Sequence, residues 1–141
     1  MPCVRLNRWI EWRSVLRKSA IKARACVFDA YGTLFDFASA AAACSDVLGD
    51  KTSAVTSLWR DKQLQYTWLR GLQGRHADFW QVTSDALDFT LDTMGIGDAA
   101  LRERLLALYR TLKCFPEVPS ALRQLKDAGF DPVPRFTRPA A

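Results

Sequence analysis

The sequence predicts an α/β domain that opens on one short strand and is then occupied mostly by helices. Three observations carry this. "CVFDAYGTLFD" (26–36) runs apolar residues into an aspartate, a glycine turn and a second aspartate. Residues 52–112 contain no proline and place apolar residues at helical spacing. Beyond Gly129, where an α/β core needs a second apolar strand, the chain offers "FDPVPRFTRPAA". Pro132, Pro134 and Pro139 each lack the N–H that a central strand must donate, so the expectation is one strand only.

The elements follow in order. "ACVFD" (25–29) has strand composition and ends at Tyr31-Gly32-Thr33, a turn signal. "FASAAAAC" (37–44) suits a tightly packed helix start. A helix is expected over 52–72, with Val55, Leu58, Trp59, Tyr66 and Leu69 on its core face. Arg60, Leu64 and Trp68 fall at i, i+4, i+8 and form a neighbouring stripe. A second helix spans about 78–94, with Trp80, Leu87, Leu91 and Met94 on one side and Gly95 as its stop. A third starts at Asp98, an N-cap residue, and carries Leu101, Leu105, Leu108 and Leu112. A fourth begins near Pro119 and carries Leu122 and Leu125.

Composition narrows the class. At 141 residues the chain has a common single-domain size. It is 49% hydrophobic and 25% charged, which fits a globular protein. No run approaches the roughly 18 apolar residues of a membrane span. Cys3, Cys26, Cys44 and Cys114 lie far apart, so neither a zinc site nor a disulfide framework is indicated, and a reducing cytoplasm is the expected compartment. The net charge of +5 is uneven: residues 1–24 carry +6, residues 25–130 carry −2 and residues 131–141 carry +1. The basic balance therefore comes from the N-terminal stretch and is no signal for nucleic acid in the body. That stretch is Arg-rich with Trp9 and Trp12, as in a transit peptide or membrane-surface helix. It has only two serines and no cleavage pattern, which favours a disordered extension or a start codon set upstream.

"FDAYGTLFD" resembles the first motif of the haloacid dehalogenase superfamily, whose nucleophilic aspartate ends the first strand of a Rossmann-like sheet. "LWRDKQLQYTWLR" (58–70), "DALDFT" (85–90) and "FPEVPSALRQLKDAGF" (115–130) are similar to the L-2-haloacid dehalogenase branch, in order and at family spacing. The implied layout is a basic extension (1–24), the first strand and nucleophile turn (25–37), a helical cap (38–113), a core helix (114–130) and a Pro-rich tail foreign to the family (131–141). Phosphatases of the superfamily carry a second aspartate two residues after the nucleophile, to protonate a leaving alkoxide. Tyr31 stands there. A halide is already a stable anion and needs no proton.

Carried over by position, the resemblance makes Asp29 the nucleophile that displaces halide with inversion and forms an aspartyl ester. Thr33 would position that carboxylate and Tyr31 would line the pocket. Arg60 would pair with the departing halide or the substrate carboxylate, a task for a group that stays charged when desolvated. Leu64 and Phe79 would wall the apolar side of the substrate, with Trp68 a weaker candidate. The resemblance implies a small 2-haloacid substrate, neither metal nor organic cofactor, no nucleic acid or membrane partner, and allows a homo-oligomer.

Each residue also has a plainer reading. A strand-end Asp before Gly is often a turn residue, a helical Arg is often solvated, and Leu64, Trp68 and Phe79 are as readily core. His76 reads as a surface residue and Asp36 as part of the turn. The family's Ser-Asn pair, lysine and ester-hydrolysing residues fall beyond "LKDAGF", where this chain has only its Pro-rich tail. The expectation is thus a truncated chain, inactive, incompletely folded and prone to self-association. Two other readings remain open at this level: a phosphatase-type hydrolase of the same superfamily, and a non-catalytic helical module.

Overall fold

The computed structural model describes residues 25–135, the last five as backbone. The expectations for residues 1–24 and 136–141 lie outside the described residues. Strand β1 (Ala25–Asp29) leads through a turn into helices α1 (Ser39–Ala42) and α2 (Ser45–Leu48) and a 3-10 turn at Gly49–Lys51. Helices α3 (Thr52–Leu72), α4 (Phe79–Thr93), α5 (Ala99–Tyr109) and α6 (Val118–Asp127) follow, and the chain enters a second strand, β2 (Asp131–Arg135).

That second strand corrects the expectation of a single one. β2 pairs with β1 in parallel, with Ala25 opposite Asp131, Val27 opposite Val133 and Asp29 opposite Arg135. Parity accommodates the prolines. Pro132 and Pro134 are two residues apart, so both missing N–H groups fall on one edge of the strand. Among the described residues the sheet has only these two strands, so β2 needs donors on one edge alone. Prolines are tolerated on the other edge.

The turn after β1 is built by the backbone. Leu34 and Phe35 N–H groups donate to the Ala30 carbonyl at 3.0 and 2.8 Å, and Gly32 N–H donates to Phe35 O at 2.8 Å. Gly32 has φ +87°, a conformation that L side chains rarely adopt. Asp36 makes an Asx-type turn, its Oδ1 accepting from Ala38 N–H at 2.9 Å. The segment leaving this turn lies beside the one that returns from the helices. Asp36 N–H donates to Lys113 O at 2.8 Å and Phe115 N–H to Leu34 O at 3.1 Å. The helices between them therefore leave and rejoin the strand layer at one place, as an inserted cap does.

The cap read from sequence at Asp98 is present, and Asp78 supplies a second. Asp78 Oδ1 accepts from Gln81 N–H, and Asp98 Oδ1 from Ala100 and Leu101 N–H, which satisfies otherwise orphaned first-turn donors. Gly95, at φ +65°, closes α4 where it was expected to stop.

The core lies in the cap and not in the sheet. Ala40, Ala41, Cys44, Leu48, Val55, Trp59, Ala86, Leu87, Leu91, Leu101, Leu105, Leu106 and Tyr109 form one buried cluster. β1 contributes none of these, and its Val27 is 63% exposed. On α3 the buried face is Val55, Trp59 and Gln63, one turn apart each. Leu69, expected on that face, is 51% exposed. The fully buried residues of α3 end at Gln63, and Tyr66 is the last of the helix to pack on the buried cluster. On α5, Leu106 and Tyr109 are buried where Leu108 and Leu112 had been expected to lead. Among the described residues no helix is long and apolar enough to cross a membrane.

Candidate active site

Asp29 is the last residue of β1, and its side chain is exposed. The carboxylate therefore stands clear of the buried core. Thr33 sits on the same turn, half-buried.

Tyr31, between them, is held in an aromatic column. Its ring stacks on Phe79 of α4 at 4.7 Å and on Tyr109 of α5 at 5.7 Å, and Tyr109 in turn meets Trp59 of α3 at 4.9 Å. Such offset contacts add to simple area burial. Burial pushes the Tyr31 phenol up from its ordinary value, with the charge of Arg60 opposing.

Arg60 reaches down from α3 to the same turn. Its Nη2 donates to the Tyr31 backbone carbonyl at 3.4 Å, and its Nη1 to Gln63 Oε1 at 2.7 Å. The guanidinium carbon lies 5.2 Å from the centre of the Phe37 ring, within cation–π range. Arg60 is half-buried, which answers the plainer reading that it is merely solvated. Leu64, one turn further along α3, is half-buried too, whereas Trp68 is 66% exposed and stands away from the site. His76 is exposed. The structure therefore brings Tyr31, Arg60 and Phe79 together beside the turn that carries Asp29 and Thr33.

Four residues of this region were not read from the sequence: Phe37, Gln63, Thr83 and Tyr109. Gln63 Nε2 donates to Thr83 Oγ1 at 2.6 Å and lies 3.1 Å from the Tyr109 hydroxyl. Trp59 Nε1 donates to the Thr83 carbonyl at 2.9 Å. The signal was available, because Gln63 follows Val55 and Trp59 at i+8 and i+4, and Tyr109 follows Leu101 and Leu105 in the same way. A polar residue on a core stripe implies a partner inside the core.

Phe37, Thr56, Trp59, Arg60, Gln63 and Tyr109 enclose a cleft of about 10 Å³. That is about the space of one water, so the cleft does not by itself hold a substrate. A larger cleft of about 370 Å³, lined by Val47, Leu48, Asp50, Lys51, Ile96, Asp98 and Leu101, contains none of the expected site residues. Among the described residues no three His, Cys, Asp or Glu side chains cluster as metal ligands would.

Burial pushes the Tyr109 phenol up to about 12, against the hydrogen bond from Gln63 and the charge of Arg60, which both favour its ionised form. A measurable pH dependence results. The unfolded phenol releases its proton at its ordinary value of 10.0, and the folded one only near 12. Between those values the unfolded state binds fewer protons, so stability present in full below pH 10 is lost as pH rises to 12. Two pH units correspond to about 3 kcal/mol. Denaturant titrations of wild type and Tyr109→Phe across this window should show the steeper decline in wild type; parallel profiles would place the phenol in a more open setting.

No family model matches the chain. It is 47% identical over 108 residues to (S)-2-haloacid dehalogenase 1 of Pseudomonas sp. (strain CBS-3), covering 76% of this chain and 48% of that protein. A crystal structure of a dehalogenase superposes with a TM-score of 0.79 at 42% identity, over 82% of this chain and 52% of the other. The L-2-haloacid dehalogenase of Xanthobacter autotrophicus with chloropropionic acid covalently bound superposes at 0.70 with 40% identity, over 79% of this chain and 45% of that one. The chain spans about half the length of the curated relatives it matches.

Proposed function

Because the chain belongs to the L-2-haloacid dehalogenase branch of the haloacid dehalogenase superfamily, we propose that it carries the nucleophile half of a site that hydrolyses (S)-2-haloacids to (R)-2-hydroxyacids. The observation that carries this reading is the approach of Arg60 to the Tyr31 carbonyl. It sets a cation from the cap beside the turn that holds an exposed carboxylate.

In the first step an Asp29 carboxylate oxygen attacks C2 of the haloacid from the face opposite the halogen. The C–O bond forms as the C–halogen bond breaks, and the halide leaves with the bonding pair. Arg60 offsets the negative charge gathering on the halide or held on the substrate carboxylate. Thr33 holds the Asp29 carboxylate in line. Tyr31, Phe79 and Leu64 offer apolar surface to the substrate's alkyl group. Water then attacks the Asp29 carbonyl carbon; one of its protons passes to the departing oxygen, giving the 2-hydroxyacid with inverted C2, and the other is released to solvent, which restores the carboxylate. No general acid is needed for the halide, which fits Tyr31 where a phosphatase would place its second aspartate.

A chimera tests the proposal. Residues 25–130 should replace the matched part of the Pseudomonas sp. (strain CBS-3) relative, and the product should be assayed with both enantiomers of 2-chloropropionate in EDTA. The expected result is chloride release from the (S) enantiomer, with (R)-lactate as the product. A folded chimera that releases no chloride, or that hydrolyses phosphate esters only with Mg²⁺, would overturn the reading.

A further inference from the structure

Gln63 is 1% exposed and points into the cap core from α3, on a face otherwise made by Val55 and Trp59. An apolar residue would fill that place without the desolvation penalty of an amide. The partners of Gln63 explain why an amide stands there. The Thr83 hydroxyl donates its single proton to the Phe79 carbonyl at 2.7 Å, so its oxygen can only accept. The group facing it at 2.6 Å must then be the NH₂ of Gln63. That choice turns Oε1 toward Arg60, whose Nη1 donates to it at 2.7 Å. The Tyr109 hydroxyl, 3.1 Å from Nε2 and 3.2 Å from Oε1, closes the fourth side.

We propose that Gln63 is a positioning residue: through the relay from the Phe79 carbonyl to Thr83 to its own amide, it fixes the Arg60 guanidinium against the Asp29–Tyr31 turn and leaves its charge unneutralised. The inference rests on the reading of Arg60 as the anion-binding group. A neutral carbonyl suits that task better than a carboxylate, which would pair with the guanidinium and compete with any anion. The guanidinium donates to Gln63 and Tyr31 and also reaches the Tyr109 hydroxyl, and its five N–H groups still leave donors for a ligand.

The full 141-residue chain, labelled with ¹⁵N-arginine, provides the test, with Arg60→Lys identifying the signal and sodium bromide as the probe. A held guanidinium rotates slowly about its Nε–Cζ bond and gives resolved Nη resonances. These should be resolved in wild type and collapse in Gln63→Met and Thr83→Val. Bromide affinity should fall roughly tenfold in both, the scale of one lost hydrogen bond to a charged group. Gln63→Glu should keep the resonances resolved yet weaken bromide by a similar or larger factor, an outcome that a purely structural residue would not give. If Gln63→Met fails to fold, Thr83→Val decides, because it keeps the side-chain shape and removes only the relay. Unchanged Arg60 resonances in folded Thr83→Val would overturn the proposal, as would undiminished bromide affinity in Gln63→Glu. Bromide that leaves the wild-type Arg60 signal unmoved counts against the anion-binding role, whereas the rotation readout judges Gln63 by itself.

Discussion

In the chimera, Asp29→Asn should reduce chloride release by at least roughly 10³-fold, the scale of losing a catalytic nucleophile. An amide oxygen carries no charge and does not displace a halide at a useful rate, and the ester that follows has no carboxylate from which to form. Asp36→Asn is the matched control. Asp36 Oδ1 caps the turn by accepting from Ala38 N–H, and an asparagine oxygen serves as well there. Its activity should stay within a few-fold of wild type by that argument. Arg60→Lys should fall between the two, because the ammonium keeps the charge but cannot reach Gln63 Oε1 and the Tyr31 carbonyl with one planar fork. Peptide mass spectrometry after brief exposure to (S)-2-chloropropionate gives a second readout. A carboxyethyl group should be found on Asp29 and should be absent from the Asn variant. Equal losses at positions 29 and 36 would reject Asp29 as the nucleophile.

Much of this arrangement was legible because the signals were local. The β1 strand, the Gly32 turn, the Asp98 cap and the Gly95 stop each depend on a few neighbouring residues, and each formed where the pattern placed it. Asp29, Tyr31, Arg60 and Phe79 came from motif resemblance, and the structure sets the last three in contact. The misses have a common cause, which is information held between elements. Whether Leu69 is buried depends on where α4 and α5 end relative to α3, and periodicity along α3 alone does not carry that. Gln63 gains its meaning from Thr83 and Tyr109, 20 and 46 residues away. Each β2 proline lacks a donor, but a strand with a single neighbour leaves one edge free. What decides such cases is the company an element keeps.

The largest stability effect is expected at Leu87. It is fully buried on α4, within the cluster that joins α1 to α5. Leu87→Ala removes three carbons from a site with little room to collapse, because Trp59 is pinned to the Thr83 carbonyl and Arg70 to Asp85 at 2.5 Å. The cost should be about 2–5 kcal/mol. Against a typical domain stability of roughly 5–15 kcal/mol, that is a large fraction. Val27→Ala on β1 shortens a side chain that is 63% exposed, and should change stability by less than about 0.5 kcal/mol. The contrast follows from the location of the core. Since the buried cluster draws on the cap helices and not on β1, the helices should unfold together, and the cap should set the midpoint of the whole transition. Urea unfolding followed by far-UV circular dichroism measures both variants. A midpoint shift for Val27→Ala as large as that for Leu87→Ala would mean that the sheet, not the cap, holds the fold. A gradual loss of helix without a shared transition in wild type would mean that the cap cluster does not act as one unit, and that Arg60 lacks the rigid support its placement over the Asp29 turn requires.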